Sequence, residues 1–219
     1  MTREQAVERV RHAGLVPMPV YSNTFDLARD VLDRDVPGDF VECGAFAGAQ
    51  VALMALAAEG HPNLRGRRFH LFDSFEGIPM AGPQDTEQPG VGPVENGSGE
   101  LVTSGVSACS MKSVQVNMAR WGVDRSRLVY HEGWFQDTVP HRWHVGRSIA
   151  LLRLDGDLYD STFVCLRHLY PHLSDGGICI VDDCNLAGCL RAVEDYFGGK
   201  PPERAVVPDG GGCEWWIKA

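Results

Sequence analysis

Two short runs carry most of the chemistry available to this chain. Leu154-Asp155-Gly156-Asp157-Leu158-Tyr159-Asp160 places three carboxylates within six residues, and Val181-Asp182-Asp183 adds two more, with Asp182 following Asp155 by 27 residues. Each run follows an apolar stretch that reads as a strand, and one helix separates them, so a right-handed crossover makes the strands parallel neighbours. Asp155 and Asp182 then emerge at one edge, with strand axes ~4.8 Å apart. Carboxylates gathered so closely repel one another and hold raised pKa values unless a cation sits among them. Ligation by Asp oxygens suits a hard divalent ion such as Mg²⁺ and disfavours zinc. Helix capping is the plainer explanation, strongest for Asp160, which is placed to cap a helix beginning near Thr162.

Two further sites follow earlier strands. Glu42-Cys43-Gly44-Ala45-Phe46-Ala47-Gly48 reads as a glycine turn in which Gly44 permits a tight bend and Gly48 a close approach of backbone to ligand. It lacks the third glycine of a dinucleotide fingerprint, and a simple strand-to-helix turn explains it equally well. Asp73, at the end of the next strand within Asp73-Ser74-Phe75-Glu76-Gly77, is placed to accept hydrogen bonds from ribose hydroxyls, or else to cap a turn. Together the two sites favour an adenosine-bearing cofactor. His131, Trp134, His141, Trp143 and His144 cluster around the exit of a third strand; Trp134 or Phe135 could flank an adenine, although packing is the commoner role. Cys184, beside the acidic pair, reads as buried packing and not as a nucleophile.

The elements that position these residues alternate. Helical spacing predicts helices over 3–12 and 24–34, the second with Thr24 as N-cap, before Pro37-Gly38 breaks the chain. Strands follow at 39–43, 68–72, 127–131, 149–154 and 177–181, with helices at 50–59, 112–121 and 162–173 between them. The strands show little polar alternation, as in a parallel sheet covered on both faces, so the fold class is α/β: doubly wound, mostly parallel, in one domain over 1–219. Residues 80–110, rich in Gly, Pro, Ser and Asn, read as a lid loop.

Composition narrows the function classes. In 219 residues, 44% are hydrophobic and 22% charged, ordinary for a globular chain. The longest apolar runs fall far short of the roughly 20 residues needed to cross a bilayer. The mixed-charge N-terminus is unlike a signal peptide, and seven cysteines without a Cys-x-x-Cys pair argue against a disulfide framework, so a cytoplasmic setting is expected. A net charge of −9 disfavours nucleic acid and anionic membranes as partners. A small-molecule substrate and a homo-oligomer are the expectation.

Five motifs extend this reading: Val36-Pro-Gly-Asp-Phe-Val-Glu-Cys-Gly44, Asp73-Ser-Phe-Glu-Gly-Ile-Pro79, Gly133-Trp-Phe-Gln-Asp-Thr-Val-Pro140, Leu152-Arg-Leu-Asp-Gly-Asp-Leu-Tyr-Asp-Ser-Thr162 and Gly176-Gly-Ile-Cys-Ile-Val-Asp-Asp183. In this order they resemble the macrocin O-methyltransferase family, S-adenosylmethionine- and Mg²⁺-dependent enzymes that methylate sugar hydroxyls of glycosylated natural products on a class I, Rossmann-like methyltransferase fold. The resemblance implies that Asp155, Asp182 and Asp183 ligate the metal and that Asp157 is the general base. It also implies that Glu42, Gly44 and Gly48 line the cofactor's methionine end, that Asp73 binds the ribose with Ser74 beside it, and that Gly133 and Trp134 lie near the adenine. Asp155 borders both metal and cofactor. Cys43, Ala45, Phe46 and Ala49 depart from the Thr, Val, Trp and Gly common in the family's glycine loop, which bears on substrate identity.

The implied reaction transfers a methyl group to an alcohol, whose high pKa makes it a poor nucleophile until a divalent ion stabilises the developing alkoxide. Two adjacent hydroxyls chelating the ion predict a vicinal diol as acceptor. A metal-dependent catechol-type methyltransferase follows the same logic. An inactive cofactor- or sugar-binding protein is the alternative from another class, and a nicotinamide dehydrogenase is remote.

Overall fold

Strands that are apolar on both faces belong in the middle of a sheet, and the computed structural model, which describes residues 1–85, 101–143 and 146–219, builds its sheet around them. β1 (Asp39–Cys43), β2 (Phe69–Asp73), β3 (Leu128–Glu132), β4 (Ile149–Leu154) and β5 (Leu173–Val181) run parallel, and β6 (Ala205–Val206) and β7 (Glu214–Ile217) join antiparallel. Among the described residues the order is β3-β2-β1-β4-β5-β7-β6.

The helices are α1 (Arg3–Val10), α2 (Met18–Asp33), α3 (Ala49–Ala58), α4 (Met111–Trp121), α5 (Phe135–Arg142), α6 (Tyr159–Leu169) and α7 (Ala187–Tyr196). Successive strand residues divide between two cores. Phe40, Phe69, Leu71, Ile178 and Ile180 pack beneath α1 to α4, while Val41, Phe72, Leu152, Leu154 and Cys179 pack beneath α5 to α7. A register shift in β4 turns both Ala150 and Leu151 toward the first core and so sets Arg153 and Asp155 on the face they occupy.

Several boundaries differ from the sequence reading. The second helix begins at Met18 rather than 24: Pro17 is its N-cap and Pro19 occupies the first turn, where a missing N–H costs nothing. Thr24 is therefore no cap but a fully buried mid-helix residue. The helix expected from 162 begins at Tyr159 with Leu158 as N-cap, so Asp160 lies in the first turn and does not cap it. β5 starts four residues before the expected strand. α5, α7 and the two antiparallel strands have no counterpart in the sequence reading. Residues 86–100 of the proposed lid lie outside the described residues, and its base is ordered pairing. Ile78 N–H donates to Val106 O at 2.9 Å, and Ser104 N–H donates to Ile78 O at 2.8 Å. His144 also lies outside the described residues.

The sheet's upper edge is tied together by backbone. Asp155 N–H donates to Cys43 O at 2.8 Å and Asp182 N–H to Leu154 O at 2.9 Å, carrying the ladder one residue into each acidic loop. Gly44 adopts φ +89°, and a Cβ there would run into the carbonyl of Asp155. Gly44→Ala is therefore expected to cost at least ~2 kcal/mol through combined backbone strain and overlap. A denaturant midpoint equal to wild type would refute this account of β1–β4 spacing.

Candidate active site

The strand order reverses between β1 and β4, so the loops leaving them diverge and open a crevice. A cavity of about 290 Å³ lies there, close to the lower bound of roughly 300–1,000 Å³ for small-molecule sites. Its wall includes Glu42 within β1 and Gly44 after it, Asp73 at the end of β2 and Ser74 after it, Trp134 after β3, Asp155 and Asp157 after β4, and Asp182 and Asp183 after β5. The 13–17 link between α1 and α2 closes one side.

The acidic residues divide into two groups. Asp155, Asp157 and Asp183 each present a carboxylate oxygen within 4.8 Å of the others. Asp182 turns instead toward Arg153, its Oδ1 lying 3.0 Å from Nη2. Arg153 is wholly buried, and its Nη1 also donates to Glu42 Oε1 at 3.2 Å and to Asp155 Oδ2 at 2.7 Å. One guanidinium thus balances three carboxylates beneath the cavity floor. Of the residues implied as metal ligands, Asp155 and Asp183 fall in the converging cluster with the implied base, whereas Asp182 is held by Arg153.

Burial and crowding raise these acids. Burial, then Asp182, pushes Asp157 up to about 6. Burial, with Asp157 and Asp182, pushes Asp183 up to about 8, and Asp183 Oδ2 is buried without a hydrogen-bond partner. Burial lifts Glu42 to about 7 against the pull of Arg153, and its Oε2 accepts from Val51 N–H at 3.2 Å. Asp155 rises well above the carboxylate range through burial and then Asp182, against Arg153. An orphaned carboxylate oxygen among mutually repelling acids is an arrangement that a divalent cation satisfies.

On the β2 side, Asp73 Oδ2 accepts from Ala45 N–H at 2.7 Å and Phe46 N–H at 2.9 Å, while Oδ1 accepts from Phe75 N–H at 2.6 Å. Asp73 therefore shapes the glycine loop and leaves lone-pair capacity on Oδ1 alone for a ligand hydroxyl. The Ser74 hydroxyl lines the cavity but donates to Gly77 O at 2.9 Å. Gly48 and Gly133 stand outside the cavity wall. A Cβ on Gly48 would meet Met118 and Val114, so its smallness admits α4, and Gly133 N–H donates to Asp73 O at 3.0 Å.

Two side chains escaped the sequence reading. Gln50, 6% exposed and on the cavity wall, has both amide atoms buried without partners, an unfilled donor and acceptor facing the site. Its location within an apolar helical run offered no signal. Arg153 did offer one, a cation inside an otherwise continuous apolar strand, which demands carboxylates nearby. His131 packs structurally: it stacks on Phe72 with centroids 4.0 Å apart, and its Nε2 lies 3.0 Å from His70 Nδ1, away from the cavity. Cys184 is buried, as expected.

Raised acids bind more protons in the folded chain than in the unfolded one, where Asp and Glu titrate near ~4. Stability then falls as pH rises from ~4 through the folded values of Glu42, Asp157 and Asp183, near 6 to 8. In EDTA, the melting temperature is expected to fall steadily between about pH 5 and pH 8 by this linkage, and Asp183→Asn to flatten the slope. A melting temperature that rises across this window would contradict the raised pKa values.

Comparison with known proteins follows the same residues. Residues 21–202 match the family model of macrocin-O-methyltransferase (TylF). The chain is 36% identical over 188 residues to 8-demethyl-8-(2,3-dimethoxy-alpha-L-rhamnosyl)-tetracenomycin-C 4'-O-methyltransferase of Streptomyces olivaceus, covering 84% of this chain and 68% of that protein. It is 34% identical to demethyldecarbamoylnovobiocin O-methyltransferase of Streptomyces niveus, covering 80% of this chain and 63% of that protein. The solved structure of the O-methyltransferase NovP superposes with a TM-score of 0.75 at 28% identity, covering 98% of this chain and 88% of that one. The chain belongs to the macrocin-O-methyltransferase family.

Proposed function

We propose that the chain transfers a methyl group from S-adenosylmethionine to a sugar hydroxyl of a glycosylated natural product, with a divalent ion of the Mg²⁺ type. The observation that carries this reading is the convergence of Asp155, Asp157 and Asp183 on the wall of the cavity at the β1–β4 crevice. Asp155 and Asp183 would hold the ion, with Asp182 steadied alongside by Arg153, and the unpaired Gln50 amide would meet the polar methionine end of the cofactor. When bound, the cofactor supplies an electrophilic methyl group and the ion lowers the pKa of the acceptor hydroxyl.

The chain's own residues do the rest. Asp157, raised to about 6, is suited to take the hydroxyl proton near neutral pH. S-adenosylmethionine would supply the methyl group and keep its sulfur as a neutral thioether, while the loop ends of β1 and β4 would align the acceptor hydroxyl with it.

Charge on the cavity wall bears on the acceptor. Six carboxylates line it (Glu42, Asp73, Asp155, Asp157, Asp182 and Asp183), and no Lys, Arg or His does so among the described residues. The sequence of 86–100 also contains none. A sugar still bearing a nucleoside diphosphate would find no countercharge there, whereas Leu15, 70% exposed, with Val16, Pro17 and Ile78, offers an apolar surface to an aglycone. The Streptomyces olivaceus relative, named for a rhamnosyl group already on tetracenomycin, supports the same choice.

The deciding experiment titrates S-adenosylmethionine and then Mg²⁺ into EDTA-treated protein and assays methyl transfer to deoxysugar conjugates and catechols. Binding of both, with Mg²⁺-dependent transfer to a sugar, is the expected result, and no S-adenosylmethionine binding sinks the reading. Asp157→Asn is expected to lower kcat ~10²-fold or more while keeping cofactor affinity; normal turnover would assign the base elsewhere. A glycoside of an apolar aglycone is expected to exceed the corresponding nucleoside diphosphate sugar by ~10²-fold in kcat/KM, and equal rates would remove the charge argument.

A further inference from the structure

Helix α6 has no side-chain cap of its own on its N-cap residue, Leu158. Its first amide is capped from the segment that follows β2. Asp85 ends the short turn Pro83–Asp85, is 3% exposed, and uses both carboxylate oxygens: Oδ1 accepts from Tyr159 N–H at 2.8 Å and Oδ2 from Gly82 N–H at 3.2 Å. It also lies against the first turn of α7, where a Cβ on Gly188 would collide with Asp85 Oδ1. One carboxylate thus sits between two helix N-termini, where backbone amides favour negative charge.

α6 and α7 follow the two acidic loops. Tyr159 is two residues beyond Asp157, which holds φ +56°, a left-handed conformation that a non-glycine residue keeps only when its surroundings impose it. Leu158 N–H donates to Gly156 O at 2.5 Å within this turn, and Asp85 fixes the turn's far end.

We propose that Asp85 is a positioning residue: by gripping Tyr159 N–H and packing on Gly188, it locks the turn that presents Asp157 to the cavity and ties the segment after β2 to both acidic loops. Its catalytic consequence rests on the function proposed above; its structural consequence does not. Asp85 is not on the cavity wall.

The test compares wild type with Asp85→Ala, Asp85→Asn and Gly188→Ala, which displaces the carboxylate from the opposite side. In protein free of metal and cofactor, amide exchange at Tyr159 is expected to quicken ~10-fold or more in Asp85→Ala, and less in Asp85→Asn, which keeps one oxygen for that amide. In the enzyme assay kcat is expected to fall ~10-fold or more in Asp85→Ala and Gly188→Ala, with S-adenosylmethionine affinity within ~2-fold of wild type and partial rescue in Asp85→Asn. A purely stabilising role would lower the melting temperature yet leave kcat intact at temperatures where the variants are folded. That outcome, or unchanged exchange at Tyr159 in Asp85→Ala, overturns the proposal. If wild type transfers no methyl group, the functional reading fails while the exchange measurement still decides whether Asp85 holds the turn.

Discussion

The site depends on one buried cation. Arg153 has no exposed surface, and its guanidinium meets Glu42, Asp155 and Asp182, one from each of three adjacent strands or their ends. Burying a guanidinium costs several kcal/mol unless its partners are well placed, and removing one member of such a network typically costs about 3–5 kcal/mol. The register supplies the placement: Glu42 lies beside Arg153 on parallel strands, and Asp155 is two residues on, on the same face. The network therefore fixes β1, β4 and β5 relative to one another at the point where ligands enter, and it holds two acidic loops in place before anything binds.

Around that anchor, the site accumulates costs that a ligand can repay. Asp155, Asp157 and Asp183 crowd together with raised pKa values, Gln50 leaves a buried amide unfilled, and Asp157 sits in a left-handed turn. Each is unfavourable in isolation. The remainder of the fold is consistent with its local sequence: α1 carries a capping box from Thr2 and Gln5, α4 is capped by Ser110 and closed by Gly122, and the strands are apolar on both faces. These costs converge on the cavity wall, where organisation in advance of binding lowers the cost of reaction.

The apolar run at 149–154 and the largely apolar Phe40-Val41 stretch ahead of the glycine turn made β4 and β1 legible, because a buried parallel strand has few ways to read otherwise. The acidic loops were legible because carboxylates rarely gather without cause. α2 was misplaced since Pro17 and Pro19, on either side of its first residue Met18, serve at a helix start as readily as they break one. The antiparallel strands β6 and β7 were invisible because Ala205–Val206 and Glu214–Ile217 are too short to show periodicity.

The sequence by itself determined the α/β alternation, the family, and which carboxylates would meet at the sheet's edge, since these follow from strand order and spacing along the chain. Only the tertiary structure decided how those carboxylates divide. Whether Asp182 faces the cluster or Arg153, whether Asp73 keeps capacity for a ligand after serving the glycine loop, and whether Asp85 caps a helix 74 residues away all depend on side-chain direction and long-range register. Those are set by packing between distant segments, and no local pattern of residues encodes them.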